Sequence, residues 1–289
     1  MKTEKVFNEA CSQTRLPEGV SVQPRKPDVE GLKDLPKFWF GGNPAVTVGS
    51  NVFSIFIPPG ERFFIRSVRH YKDRIKDPEL KELVRAFMQQ ETLHGKAHDV
   101  YNDSFAQYGL DVDDERRRAE KLFNRMEKYL PAKMRLGFTV FAEHITAVGA
   151  AGAFYDENFV NWSDPRATAF WQWHAAEELE HKAVAFDVLK MMGGGYFTRV
   201  FSALLGLIIM IVPLYRAYMR VYRAYGGKLE KEHRKQLAIM QHSKAMKIQR
   251  KQILEYFIPG FHPWKIDDSE LLRQWKDEND LESGLAPQT

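Results

Sequence analysis

Trp173-His174-Ala175-Ala176-Glu177-Glu178-Leu179-Glu180-His181 is the stretch whose reading decides the fold. Within it Glu178 and His181 stand three positions apart, and the same Glu-x-x-His spacing returns at Glu91-Thr92-Leu93-His94. Residues three apart on an α-helix share a face, about 5–6 Å apart at Cβ, so one turn offers a metal ion a carboxylate and an imidazole together. A lone glutamate precedes each pair: Glu61 lies 30 positions before Glu91, and Glu143 lies 35 before Glu178. Placed on separate helices, these groups predict four carboxylates and two imidazoles converging inside a bundle.

Helix signals outward from these motifs support that arrangement. Pro58-Pro59-Gly60 reads as the start of a first helix, because proline is tolerated where the backbone N–H has no partner. Asp77-Pro78-Glu79 marks a second start by N-cap, N1 proline and first-turn acid, and Gly109 ends that pattern after Tyr108. A short charged helix over about 113–129 follows, then a third bundle helix over 131–158. Ser163-Asp164-Pro165 opens a fourth, which is expected to run to Met192 before Gly193-Gly194-Gly195. Period-two alternation is scarce, so the chain reads as all-α. Two helical pairs, 59–108 and 131–192, with one long connection between them, are the plan of a ferritin-like four-helix bundle. The expected organisation is an N-terminal arm (1–50), the bundle with its metal site (51–195) and a C-terminal helical extension (196–289).

Glu61, Glu91, His94, Glu143, Glu178 and His181 are therefore the expected ligands of two metal ions, with Glu91 and Glu178 as bridges and the groups of the catalytic centre. Phe141, Ala142, Ile145 and Val148 surround Glu143, where a solvated acid is out of place. Burying a carboxylate without a cation is costly, so a metal or an ion-pair network has to be its partner. His98, four after His94, and His174, four before Glu178, fall on the same faces. They read either as extra ligands or as groups that orient the ligands. Glu177 and Glu180 flank the ligand face and are expected at its periphery, His144 in packing, and His70 and His262 in structural roles. Carboxylates and imidazoles without thiolate suit iron or manganese ahead of zinc.

With 289 residues, 44% hydrophobic, the chain is long enough for one large helical domain. A single cysteine, Cys11, excludes an internal disulfide and a cysteine-based zinc site. The opening Met1-Lys2-Thr3-Glu4-Lys5 lacks the apolar run of a signal peptide, so a cytoplasmic location is expected. Val200 to Tyr215 carries no charge and is followed, through Lys251, by a dense basic run. Sixteen residues containing Pro213 are short for a span, which needs about 20. The segment reads as a helix packed on the bundle or as a peripheral contact with anionic lipid at the inner membrane, made by residues 200–251. Neither an RNA-binding motif nor aromatics interleaved with the basic run suggests nucleic acid.

Pro59-Gly60-Glu61-Arg62-Phe63-Phe64, Gln90-Glu91-Thr92-Leu93-His94-Gly95 with His98, Glu143-His144, His174 through Asp187 and Phe261-His262-Pro263-Trp264 together resemble a bacterial family described as predicted metal-dependent hydrolases. The resemblance covers about 45–270 and implies a ferritin-like placement. Two enzyme readings follow. The first expectation is an oxygen-activating di-iron oxidoreductase with a small apolar substrate and an electron donor, given the aromatic residues Phe63, Phe87, Phe141, Trp171 and Trp173 near the motifs. The second is a hydrolase in which the same metal pair activates water. A third reading is a metal-handling protein without catalysis.

Overall fold

A computed structural model of the chain describes residues 16–225 and 227–279. Eleven α-helices carry these residues: α1 (Pro44–Arg69), α2 (Pro78–Asp103), α3 (Val112–Tyr129), α4 (Ala132–Tyr155), α5 (Glu157–Trp162), α6 (Pro165–His181), α7 (Val184–Met191), α8 (Tyr196–Tyr225), α9 (Lys231–His242), α10 (Lys244–Glu255) and α11 (Ser269–Glu278). Among the described residues the only β-type pairing is an isolated bridge between Phe40 and Ser163. The chain is an all-α bundle, as the periodicity predicts.

Helices α1 and α2 form one hairpin, and α4 and α6 the other. Between them runs α3, which crosses over and packs on α1. Its N-cap Asp111 accepts from the Asp114 amide, and Asp113, Asp114 and Glu115 favour the positive end of the helix. Ala119, Phe123 and Met126 supply its buried stripe. This single crossover is compatible with the ferritin-like expectation.

The first helix starts earlier than expected. Asn43 caps it by accepting from the Ala45 and Val46 amides, Pro44 occupies the first turn, and Pro58 and Pro59 lie inside the helix. Pro58 has no N–H for the carbonyl of Ser54, one turn earlier. That carbonyl instead accepts from Asn102 Nδ2 on α2, at 3.1 Å. A partner from the neighbouring helix thus lets the double proline sit just before Glu61. The fourth helix also differs. It stops at His181, turns at Lys182-Ala183 and resumes as α7. Buried Lys182 donates to Asp268 Oδ2 (2.6 Å) and to the Ile266 carbonyl (2.7 Å), and lies over the Trp264 ring. The break therefore anchors the C-terminal segment to the last turn of α6.

The apolar core runs through both hairpins, with Phe63, Phe87, Tyr101, Leu136 and Leu179 fully buried. Helix α8 is continuous through Pro213 and packs one side on α4 and α1. Close approach to α4 depends on glycine: a Cβ on Gly206 would overlap the Phe138 ring, and one on Gly137 would overlap Ser202. The opposite side of α8 stays exposed.

Candidate metal centre

The side chains predicted from the spacing come together. Glu61 arrives from α1, Glu91 and His94 from α2, Glu143 from α4, and His174, Glu178 and His181 from α6; all are buried. They form two overlapping groups able to hold metal. Glu61, His94, His174 and Glu178 offer ligand atoms within 4.8 Å of one another, and so do Glu91, Glu178 and His181. Glu178 belongs to both. Glu143 stands beside the second group, its Oε2 3.2 Å from His181 Nε2. His174 therefore sits with the ligand set, whereas His98 stands behind it.

The close distances cannot all be hydrogen bonds. Nε2 of His181 lies 3.0 Å from Glu91, 3.2 Å from Glu143 and 3.5 Å from Glu178. One ring nitrogen carries at most one proton and cannot satisfy three oxygens. Nδ1 of His94 similarly lies 3.6 Å from Glu61 and 3.7 Å from Glu178. Both oxygens of Glu61 and of Glu91, Glu143 Oε2, His94 Nδ1, His174 Nε2 and His181 Nε2 are buried without a hydrogen-bond partner. Each unsatisfied buried carboxylate costs several kcal/mol. Divalent cations would be the common partner of these inward-facing atoms, so the residues fit a metal centre.

The electrostatics carry the same message. Burial raises the pKa of Glu61 and Glu143 well above the ordinary carboxylate range, with the neighbouring Glu91 carboxylate adding to it, and burial raises Glu91 as well. Glu178 differs: burial pushes it upward, but contacts from His174 and His181 prevail and hold it well below its usual value. For His181, burial pushes the pKa down, yet Glu143, Glu178 and Glu91 together raise it well above the ordinary histidine value. Burial lowers His94 and His98 well below that value.

Each inward-facing imidazole is held through its other nitrogen, which fixes the ring and its tautomer. His94 Nε2–H donates to Glu177 Oε2 at 3.0 Å. His181 Nδ1–H donates to Gln90 Oε1 at 2.9 Å, and Gln90 Nε2 donates to Glu180 Oε2 at 3.0 Å. His174 Nδ1–H donates to His98 Nε2 at 3.2 Å, leaving His98 Nδ1–H to donate to Ser54 Oγ at 2.7 Å. Thr146 Oγ1 donates to Glu178 Oε2 at 2.6 Å, steadying the shared carboxylate. Gly95 leaves room for the set, since a Cβ there would lie 3.0 Å from Glu61 Oε2.

Glu177 and Glu180 are not peripheral. Both are fully buried, and segments distant in sequence hold them. The Arg25 amide donates to Glu177 Oε1 at 2.6 Å, and the Arg25 guanidinium makes two hydrogen bonds to Glu180, at 3.0 and 2.7 Å. Lys276 of α11 lies 3.0 Å from Glu180. Burial raises Glu177 to a pKa of about 8, against the opposing pull of Arg25. Acids at 177 and 180 share a helix face about 100° from that of 178 and 181. That second acidic face was the signal for a second cationic partner. The remaining histidines stand apart from the ligand atoms. His70 is exposed, His144 packs between Tyr256 and Phe261 with its ring bonded to the Gln252 carbonyl, and His262 contacts Asp187.

Two cavities reach the centre. An apolar one of about 210 Å³ is lined by Glu61 and Glu178 and by Gly206, Leu207, Met210 and Leu214 of α8. Phe56, Phe64, Phe138 and Phe141 form its walls. A second, of about 290 Å³, reaches His174 past Ser50, Asp156 and Gln249. Phe53 and Thr146 line both cavities. Of the aromatic residues expected near a substrate cavity, Phe141 lines the first and Trp171 the second. Phe87 and Trp173 instead stand edge-on to His181 and His94, and Phe63 packs against Phe123 and Phe138.

A family model described as "Predicted metal-dependent hydrolase" matches residues 23–267. No curated protein matches. No solved structure matches.

Proposed function

We propose that this chain, which belongs to the predicted metal-dependent hydrolase family, hydrolyses an apolar substrate at a two-metal centre shared through Glu178. Family membership corrects the first expectation: the description is of a hydrolase, so the oxygen-activating oxidoreductase reading falls, and its electron donor with it. The single observation that carries the proposal is the set of unpartnered atoms from α1, α2, α4 and α6 gathered into two ligand groups.

Glu61, His94, His174 and Glu178 would hold one ion, and Glu91, Glu178 and His181, with Glu143 beside them, the other. Divalent ions at such a site lower the pKa of bound water and polarise a carbonyl. The hard oxygen and nitrogen donors suit manganese or iron ahead of zinc. The chain's own contribution is orientation and access. Glu177, Gln90 and His98 fix the three imidazoles, and Thr146 fixes the shared carboxylate. The phenylalanine-walled cavity offers an apolar approach to one side, while the cavity by Ser50, Asp156 and Gln249 offers a more polar path to the His174 side. Glu61 belongs to the ligand set and also lines the apolar cavity, so a substrate held in that cavity would meet the centre beside it.

The test is to strip the protein with a chelator and reload it anaerobically with manganese, iron or zinc, one at a time. Each form is then assayed on a panel of chromogenic acyl esters. Hydrolysis without O₂ by at least one loaded form is expected; loaded protein inert with every metal would overturn the proposal. Glu178→Ala or Glu143→Ala lowers bound metal below about half of wild type, since each removes a ligand that unfolded or distorted alternatives cannot replace. His233→Ala, on α9 and outside the centre, leaves it unchanged.

A further inference from the structure

Helix α8 presents a continuous apolar face to solvent. Phe197 is 84% exposed, Ile208 71% and Ile211 66%, and Phe201, Leu204, Val212 and Tyr215 are exposed along the same side. These positions recur at three- and four-residue steps, so they line one stripe of the helix. Arg199, Ser202, Ala203, Gly206, Ala217 and Val221 form the buried stripe opposite. At the start of α8, Tyr196 donates to the Phe257 carbonyl and Arg199 to the Ile258 carbonyl. Those contacts bring exposed Ile258 and the nearby exposed Leu254 to the same end. Soluble monomers rarely leave so much contiguous apolar surface bare.

Three observations choose the occupant. Charge is the first: past Tyr215 come exposed Arg216, Arg223, Lys228, Lys231, Arg234 and Lys235, against only Glu230 and Glu232 in the same run. A cationic flank beside an apolar stripe matches an anionic bilayer surface. Shape is the second. One side of α8 is packed on the bundle, so the helix cannot be surrounded by lipid and has to lie in the interface plane. The cavity is the third. Gly206, Leu207, Met210 and Leu214 of α8 line it together with Glu61 and Glu178 of the metal centre, and Leu207 is itself exposed.

We propose that α8 embeds its exposed face in an anionic membrane leaflet and that the cavity beneath it draws an acyl chain of a lipid ester from that leaflet to the metal centre. The substrate assignment rests on the hydrolase reading; the membrane contact does not. In the reaction, water oxygen bonds to the acyl carbon, the ester C–O bond breaks, and the proton that water gives up passes to the departing alkoxide, so the products are the fatty acid and the alcohol. The fatty acid remains in the cavity until it returns to the bilayer.

Co-sedimentation of the full chain with phosphatidylcholine vesicles, with and without phosphatidylglycerol, tests the contact. Binding is expected to be stronger by about tenfold or more with the anionic lipid, and Ile208→Asp with Ile211→Asp to abolish it, because both side chains are exposed and their loss leaves the core intact. Metal content and thermal stability of this double variant, unchanged from wild type, establish that it is folded. Absence of vesicle binding by the wild type overturns the inference. So does a stable dimer in solution that the same substitutions dissolve, which would make the face a contact between copies of the chain. Met210→Trp, filling the cavity, should keep vesicle binding and metal yet lower hydrolysis of long-chain relative to short-chain esters by about tenfold. An unchanged ratio would sink the chain-binding role. Vesicle binding with no hydrolysis under any metal would instead count against the hydrolase reading alone.

Discussion

Gly95 illustrates how a single residue can separate stability from function in this protein. Alanine is the better helix former by about 1 kcal/mol, so Gly95→Ala should hold or raise the melting temperature of the metal-free protein. The added methyl would sit 3.0 Å from Glu61 Oε2, however, and the carboxylate is the group free to move. Lower metal affinity at equal or greater metal-free stability is therefore expected, measured by competition with a chromophoric chelator; unaltered affinity would show that Glu61 is not a ligand. The convergence of the candidate ligands was legible because helix geometry acts locally: two positions three apart need no tertiary information to share a face. Glu177 and Glu180 were misread because their partner Arg25 lies over 150 residues away, in an arm without helical period. His98 and His174 were legible as a pair on the ligand faces, but spacing alone could not order them. Only the contact chain from Ser54 through His98 to His174 does so.

At the scale of elements, the double proline in α1 is the instructive case. Proline at a helix start and proline within a helix look alike in sequence, and Pro58-Pro59 was read as a start. What permits the interior position is Asn102, a residue on another helix that takes up the freed Ser54 carbonyl. Asn102→Ala should leave that carbonyl buried and unpaired, lowering stability by about 1–3 kcal/mol in denaturant titration. Because the neighbouring side chain of Ser54 supports His98, the same variant should also weaken metal binding. A loss of stability below about 0.3 kcal/mol would mean that α1 needs no support at its prolines. The break after His181 was hidden for a related reason, since no glycine or proline marks it and the buried Lys182–Asp268 pair that accompanies it joins residues far apart in sequence. All four bundle helices, and the crossover helix between their hairpins, were otherwise legible from caps and apolar period.

For the whole molecule, the acidic centre couples folding to metal and to pH. In the metal-free protein burial holds Glu61, Glu91 and Glu143 above their ordinary pKa. Acids raised in this way contribute stability that is fully present below their unfolded-state pKa and is lost as pH rises through the folded value. Chelator-stripped protein should therefore lose thermal stability as pH is raised from about 5 towards 8, and loaded protein should lose less, because the cations replace the protons. Equal slopes for the two forms, read by scanning calorimetry, would argue against metal at these carboxylates. The closure of the centre has a broader consequence. Gln23 and Arg25 from one end of the described chain and Lys276 from the other meet at Glu180, one residue from His181. Cofactor retention would thus be a readout of the assembly of these two segments on the bundle. A polypeptide clipped so that either segment is lost would carry every coordinating side chain and still leak its ions, so metal would mark the docking of these two segments and not merely the bundle.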